Sequence, residues 1–488
     1  MKFLENKSVY WGATVLILVL AFVVRLWRID APLADWHSWR QSDTAAVARN
    51  FIKFGFDPLR PRYDDLSNIQ SGKDNPNGYR MVEFPLYQLF GGGIVKLIPP
   101  LSIEVGLRLV TVFSVVATIG LLMVLTTTLV DPLTGILTGL VYAVLPYSIY
   151  FGRVILPEPF AVFWAILSLF CLERGNNRVD KGSRGGWGNV MLAGAFGALA
   201  ILIKPTAGFL LLPAPYLIWR RYGWSGHSLI RLFAYSLIIL LPLWGWRQWI
   251  LQFPEGIPAF EWLLNDGNIR FKGAWFHWLF AKRIGELMLG YWGLLPFGLG
   301  MAVVAGKREG WFTRLLLLGN FLYLMVFAAG NVRHDYYQIL LLPVISMYVA
   351  KGFAFLLRNT VFSKRIAYPL SLVAFLFMLA FSWYTMRTYY WINKPEIVEA
   401  GIEADRLLPK DAKVIASYNG DTTFLYQINR QGWPLGFEIE KKIAAGATHY
   451  VTISPTDNDG ETMDLASRYT VLVRNDRYAI IDLSKKKQ

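Results

Sequence analysis

Apolar residues along this chain come in long runs, not in the short alternations of a soluble domain. The first run extends from about Val9 to Trp27. Others lie near Val110–Val130, Leu133–Tyr150, Phe160–Leu172, Val190–Ile203, Ala207–Trp219, Leu232–Trp246, Ile284–Ala305, Leu315–Ala329, Ile339–Leu357 and Ile366–Trp383. Runs of roughly 20 apolar residues match the thickness of a bilayer, so the pattern predicts about eleven spans. Those near 160, 190 and 207 are short, and one or two of them could be re-entrant. The first run exceeds the core of a signal peptide and no small-residue cleavage site follows it. Arg25, Arg28 and Asp30 follow instead, which predicts a retained helix.

Between the first two runs, from Ile29 to about Glu104, the chain is polar and aromatic. Pro32, Pro58, Pro61, Pro76 and Pro85 exclude a single helix there. Within it, Ala45, Ala46, Ala48 and Phe51 recur near helical spacing and predict a short helix over Ser42 to Phe54, lying at the membrane surface. After about Asn393 charged residues return. Lys413 to Tyr418, His449 to Ile453 and Tyr478 to Leu483 read as strands; Glu396 to Leu408 and Phe437 to Ala445 read as helices. The predicted fold is an all-α polytopic membrane module over residues 1–390, with residues 28–105 as its first extracytoplasmic loop. A small α/β extracytoplasmic domain follows over 391–488. That domain shows no catalytic motif, and a structural or acceptor-guiding part is expected of it.

Composition agrees with the pattern. Of 488 residues, 54% are hydrophobic and 17% charged, against about 25% charged in soluble domains. The net charge of +15 suits anchoring beside anionic headgroups. The basic residues are scattered between apolar runs, which argues against nucleic acid as a partner. Cys171 is the single cysteine, so an intrachain disulfide and a cysteine-based zinc site are excluded. Alternate loops hold Arg174, Arg178, Lys181 and Arg184; Arg220, Arg221 and Arg231; Lys307, Arg308 and Arg314; and Arg358, Lys364 and Arg365. The positive-inside rule assigns that side, and the N-terminus with it, to the cytoplasm. The first polar loop, the segment from Gln248 to Lys282 and everything after Trp383 then lie outside.

Five polar clusters fall on that outer side. They are Trp36 to Asp43, Glu83 to Tyr87, Arg153 with Glu158, Lys204-Pro205, and Arg333 to Tyr337. Ionisable groups at membrane depth are costly unless they face a cavity or a partner, which makes them functional candidates. Lys204 fits a fixed cation for a phosphate, and equally a side chain reaching out to the headgroups. Arg333 divides the same way. Arg333, His334, Tyr336 and Tyr337 combine cation, donors and aromatic surface, a mixture suited to a phosphate plus a sugar ring, or to an interfacial aromatic belt. Arg40 and Asp43 share a face if the segment is helical. A carboxylate beside a guanidinium stays ionised, so Asp43 could serve as general base on an acceptor, or merely as a helix cap. His37 is equally a structural residue, and Glu83 or Glu158 could replace Asp43 as the working carboxylate. No glycine-rich phosphate loop, serine elbow or HExxH occurs. A reaction on the outer face has no nucleotide sugar, so an activated sugar would arrive on a lipid phosphate.

At these clusters the sequence resembles the GT-C superfamily of polyprenyl-phosphate-dependent glycosyltransferases. It is most similar to the bacterial branch related to protein O-mannosyltransferases and to the lipid A aminoarabinose transferase. The resemblance is carried by HSWRQSDTAAVARNF (His37–Phe51), EFPLYQ (Glu83–Gln88), GRVILPEP (Gly152–Pro159), LIKPTAGFLLLP (Leu202–Pro213) and RHDYYQILLLP (Arg333–Pro343), in that order. It implies an acidic residue in the first outer loop that acts as catalytic base, and cations near the membrane surface that hold the donor phosphate. The family often has Asp-Glu about eight residues before the Ala of an Ala-Arg pair. Here Arg40-Gln41 stand there, and Asp43 is the nearest carboxylate. Glu83 stands where relatives often have lysine.

The resemblance implies an inverting transfer in the bacterial cytoplasmic membrane, from a polyprenyl-phosphate sugar to a lipid, protein or glycan acceptor. Asp43 is the implied base. Lys204, Arg333, His334, Tyr336, Tyr337, Arg40 and Arg153 are the candidate donor contacts, with His37, Glu83 and Glu158 as additional candidates. No cofactor is demanded, and a divalent metal between carboxylate and phosphate stays open. A flippase or transporter, or a ligase of lipid-linked saccharides, is the alternative; transporters tend to carry repeats, and none is found.

Overall fold

The computed structural model describes residues 6–176, 186–360, 362–456 and 460–487. Arg178, Lys181 and Arg184, three of the loop charges used for sidedness, lie outside the described residues. The helices run α1 (Lys7–Arg25), α2 (Ser38–Phe54), α3 (Leu86–Leu97), α4 (Ile103–Leu129), α5 (Pro132–Val144), α6 (Pro146–Phe151), α7 (Glu158–Asn176), α8 (Trp187–Ile203), α9 (Ala214–Tyr222) and α10 (Gly226–Ile250). Then come α11 (Trp262–Asn265), α12 (Gly273–Phe276), α13 (Leu294–Ala302), α14 (Phe312–Val326), α15 (Ala328–Arg333), α16 (Leu342–Arg358) and α17 (Lys364–Met386). The remainder holds α18 (Pro395–Leu407), β1 (Val414–Ala416), α19 (Thr423–Ile428), β2 (Gly432–Trp433), α20 (Ile439–Ala444), β3 (His449–Thr452), α21 (Glu461–Arg468), β4 (Tyr469–Arg474) and β5 (Ala479–Lys486).

The chain is a multi-pass membrane protein. Among the described residues five helical runs are long and apolar enough to cross a bilayer: Lys7–Arg25, Ile103–Leu129, Gly226–Ile250, Tyr337–Arg358 and one beginning at Lys364. Three apolar helices, α5, α8 and α14, are shorter. These lengths do not confirm the predicted count of eleven, and three of the apolar runs are interrupted. The apolar run over 133–150 is split at Leu145, where the chain turns extended before Pro146. The run over 207–219 divides into a 3-10 segment (Pro205–Leu211) and α9. The run over 284–305 divides into a π-helical segment (His277–Met288) and α13, with Gly290 and Tyr291 at positive φ between them. Apolarity counts these as spans, whereas continuity of the backbone does not.

Contacts divide the chain into two compact units. The first comprises Met1–Ile29, Arg108–Arg247 and Phe260–Thr388. Two of its helix starts are capped by side chains. Asn6 accepts from the Ser8 amide at the start of α1, and Asp131 caps α5 through the Thr134 amide, with Pro132 at the first helical position. The buried Arg25 guanidinium donates to the carbonyls of Ala21, Tyr142, Ala143 and Ser148, which satisfies the open end of α5 where α1 packs on it. Helices α13 and α16 approach so closely that a Cβ at Gly300 would stand 1.8 Å from the Tyr348 carbonyl oxygen.

The second unit comprises Asp30–Leu107, Gln248–Ala259 and Tyr389–Gln488. Its five-stranded sheet has the order β2-β1-β3-β5-β4. Strand β1 runs parallel to β2 and β3, while β5 runs antiparallel to β3 and β4. One face packs Ile397, Ala400, Val414, Phe424 and Ile480; the other packs Leu66, Ile415, Tyr450, Leu465 and Ile481. The backbone of Asp64 to Leu66 pairs with Gly432, so the segment following α2 extends the edge at β2. The strands at 413, 449 and 478 and the helix at 396 form as their periodicity predicts.

Candidate functional site

In the second unit α2 starts at Ser38, earlier than its apolar spacing suggests. His37 precedes it in the left-handed conformation, beside the ring of Trp36. Asp43 is therefore in the second turn, and its carboxylate does not cap the helix. That carboxylate is buried. Its Oδ1 accepts from the Thr422 hydroxyl at 2.7 Å, and its Oδ2 lies 2.8 Å from Arg80 Nη2. Arg40, three residues away on the same helix, does not supply the guanidinium. It pairs instead with Glu83 at 2.5 Å. Two segments thus exchange charges, with the acid of one meeting the arginine of the other in both directions.

Arg80 is itself held over the ring of Tyr63, 5.0 Å from its centroid. Asp65 and Asp421 complete an acidic surround. Burial raises the Asp65 carboxyl to about 6; the Ser67 hydrogen bonds oppose that rise and the charge of Asp43 adds to it. Burial also raises Asp421, against the bonds from Thr423 and with Asp43 again adding. Burial pushes the Tyr63 hydroxyl well upward, aided by Asp65. Among the described residues no three His, Cys, Asp or Glu side chains converge closely enough to hold a metal ion.

The other candidates belong to the first unit. Lys204 follows α8 with an extended backbone that turns the chain into the Pro205–Leu211 segment. It does not reach out to solvent: Nζ stands 2.8 Å from Glu158 Oε1 and 5.7 Å from the centre of the Tyr337 ring. Glu158 is fully buried at the first turn of α7. Among the described residues neither of its oxygens has an aligned hydrogen-bond donor, so acceptor capacity is left at this pair. From Tyr337 an aromatic row leads away through His334 (5.7 Å) to Trp262 (5.6 Å), with Tyr336 against both Tyr337 and His334. Arg333 lies over the far end of the row, 5.1 Å from Trp262, and pairs with Asp266. It is half exposed, whereas Tyr336 is buried. Lys204 and Arg333 therefore bracket one row of rings, each with its own carboxylate. Asp335 is buried, 3.6 Å from Arg283, and its carbonyl accepts from Tyr147. Arg153 is buried and donates to the Arg28 carbonyl.

Residues that the sequence did not single out are the partners: Arg80 and Thr422 at Asp43, Asp266 and Trp262 at Arg333, and Arg283 at Asp335. Thr422 comes from the C-terminal segment, which shows no catalytic motif and of which a structural or acceptor-guiding part is expected. The signal available for Arg80 was its place three residues before Glu83, which repeats the spacing of Arg40 and Asp43.

A family model described as dolichyl-phosphate-mannose-protein mannosyltransferase matches residues 98–253. No curated protein matches the chain in sequence. Solved structures share its fold. ArnT from Cupriavidus metallidurans bound to undecaprenyl phosphate aligns with a TM-score of 0.64 at 12% identity, covering 96% of this chain and 98% of that one. The archaeal oligosaccharyltransferase AglB from Archaeoglobus fulgidus, in complex with an inhibitory peptide and a dolichol-phosphate, aligns at 0.55 and 12% identity over 95% and 73%. The arabinofuranosyltransferase AftD from mycobacteria aligns at 0.57 and 14% identity, over 98% of this chain and 41% of that one. In sequence over that middle segment and in fold over nearly its whole length, the chain resembles the GT-C glycosyltransferases, both protein O-mannosyltransferase-like and ArnT-like.

Proposed function

We propose that the chain is an inverting glycosyltransferase that moves a sugar from a polyprenyl-phosphate lipid to an acceptor on the outer face of the cytoplasmic membrane. The observation that carries the reading is the Asp43 carboxylate, buried and oriented by Arg80 and Thr422 in the long segment after the first helix. The likeness in fold to an ArnT bound to undecaprenyl phosphate supports the donor class.

In this reading Asp43 takes the proton of an acceptor hydroxyl or amine. The freed lone pair attacks the anomeric carbon, and the bond from that carbon to the phosphate oxygen breaks. The electron pair leaves on the lipid phosphate. Lys204 neutralises the charge that develops there, which is where a preorganised cation contributes most. One displacement inverts the anomeric centre. The row Trp262, His334 and Tyr337 gives a sugar ring an apolar face to lie on.

The test is a lipid extract from cells lacking the chain, analysed by mass spectrometry for a polyprenyl-phosphate sugar. Accumulation of that species, and its consumption with release of polyprenyl phosphate when the purified chain is added in detergent, is expected. Redistribution of the intact lipid across reconstituted vesicles, with no glycosidic bond formed, would instead establish a flippase.

A further inference from the structure

The end of α8 opposite Lys204 carries a second cluster of cations. Helix α8 has 17 residues, so its two ends are about 25 Å apart, close to the depth of a bilayer core. Trp187 opens the helix, and around it stand Arg221 and Tyr222 from the end of α9 and Arg231 from α10. Both guanidinium groups lie over the Tyr222 ring, at 5.0 Å for Arg221 and 4.1 Å for Arg231. Arg231 is also 4.9 Å from the centre of the Trp187 ring. Stacking holds both cations in place but leaves their edges unused.

Among the described residues several of those donors have no acceptor. Arg231 is only 4% exposed, and its Nε is buried without a partner. Its Nη1 reaches the His227 carbonyl. The Nη2 of Arg221 and the hydroxyl of Tyr222 are likewise buried and unpartnered. Both point at Gly186: a Cβ there would meet the Tyr222 oxygen at 2.3 Å and Arg221 Nη2 at 3.0 Å. Among the described residues no carboxylate pairs with either arginine. Glu173 is taken by Arg220 and Glu309 by Lys351. Two like charges on one ring with unsatisfied donors are costly unless an anion completes them.

The surroundings identify the anion's source. Trp219 and Trp224 lie 4.8 Å apart, and Trp224 is 84% exposed, as suits a ring at headgroup depth. Between α9 and α10 lies a hollow of about 490 Å³ lined by Trp219, Trp224, Leu229 and Leu232 among others. Its apolar lining suits an acyl chain.

We propose that Arg221, Tyr222 and Arg231 bind the phosphate of an anionic phospholipid at the end of the membrane module remote from Lys204. The site is separate from the donor's and serves to anchor the helices. The full chain, purified in a non-ionic detergent, is titrated with phosphatidylglycerol, with phosphatidylcholine and with inorganic phosphate, following thermal unfolding and retained lipid by native mass spectrometry. Phosphatidylglycerol should raise Tm and remain bound, and the other two should not. The double variant R221Q/R231Q should bind phosphatidylglycerol about tenfold or more weakly, since each cation near a lipid surface contributes about 1 kcal/mol. Y222F keeps the ring on which both arginines stack and loses the hydroxyl alone, so it should fold normally and bind more weakly than the parent. Equal binding by parent and Y222F together with R221Q/R231Q would overturn the proposal. So would a shift reproduced by inorganic phosphate, which would make the site one for a soluble anion.

Discussion

The buried carboxylate of Asp43 is held 2.8 Å from the guanidinium of Arg80, not by the arginine one helical turn away. Arg40 and Glu83 form the reciprocal pair at 2.5 Å. Breaking a buried pair from one side leaves a charge with no compensation and costs about 3–5 kcal/mol. Arg80→Ala should therefore destabilise the chain by about that much, and adding Asp43→Asn should restore most of the loss. A double-mutant cycle on thermal unfolding in detergent measures the coupling. Combining Arg40→Ala with Asp43→Asn should give additive effects instead; coupling there equal to that of Arg80 would contradict the exchanged pairing.

Asp43→Asn by itself keeps the hydrogen bond from Thr422 and the shape of the side chain but leaves the buried Arg80 without its carboxylate. The variant should therefore insert yet lose stability, and its folded fraction is measured by thermal unfolding beside the assay. Sugar transfer should fall about 10²–10⁴-fold, the range that a positioned general base supplies. Rates measured with the donor identified from the lipid extract decide this. Full activity in the variant would transfer the role to another acid, Glu83 or Glu158.

Lys204 and Glu158 allow stability to be separated from donor use. Lys204→Ala leaves Glu158 buried and alone, so the variant should lose both stability and activity. The double variant Lys204→Ala with Glu158→Gln removes the orphaned charge and should recover the stability. If Lys204 receives the donor phosphate, the double variant should still need a higher donor concentration while its acceptor KM stays near that of the parent. Recovery of normal donor dependence would reduce Lys204 to a structural partner of Glu158.

Helix α2 and the strands at 414, 449 and 479 were legible because local periodicity reports which face of an element is buried. Strand β4 is absent from the predicted strands, although Thr470 to Val473 carry a comparable signal. Strand β2 was not, since Gly432-Trp433 is too short for any period and exists through its pairing with β1 and Asp65. Candidate residues could be named because charge within an apolar sequence is conspicuous. Their partners could not: Thr422 reaches Asp43 across most of the chain, and an ordinary threonine in a polar stretch bears no mark of that contact. The prolines and Gly290 that interrupt the apolar runs were equally visible, but hydropathy weighs composition and not backbone continuity.

Asp65 gives the second unit a pH dependence of predictable sign. Its pKa of about 6 lies above the ordinary 3.8, so between those values the folded chain holds a proton that the unfolded chain has released. The stability contributed by that proton is complete below pH 4 and is lost as pH rises through 6. At pH 7.5 the ionised, buried carboxylate then costs about 3 kcal/mol. Asparagine can still accept the Ser67 amide, which now bonds to Oδ1 at 2.8 Å. Asp65→Asn should therefore raise Tm at pH 7.5 and change it little at pH 4. Thermal unfolding of parent and variant across pH 4 to 8 measures the difference. The two curves should separate between pH 4 and 6 and run parallel above pH 7. Curves that superimpose throughout would mean that Asp65 ionises at its ordinary value, with water reaching the carboxylate.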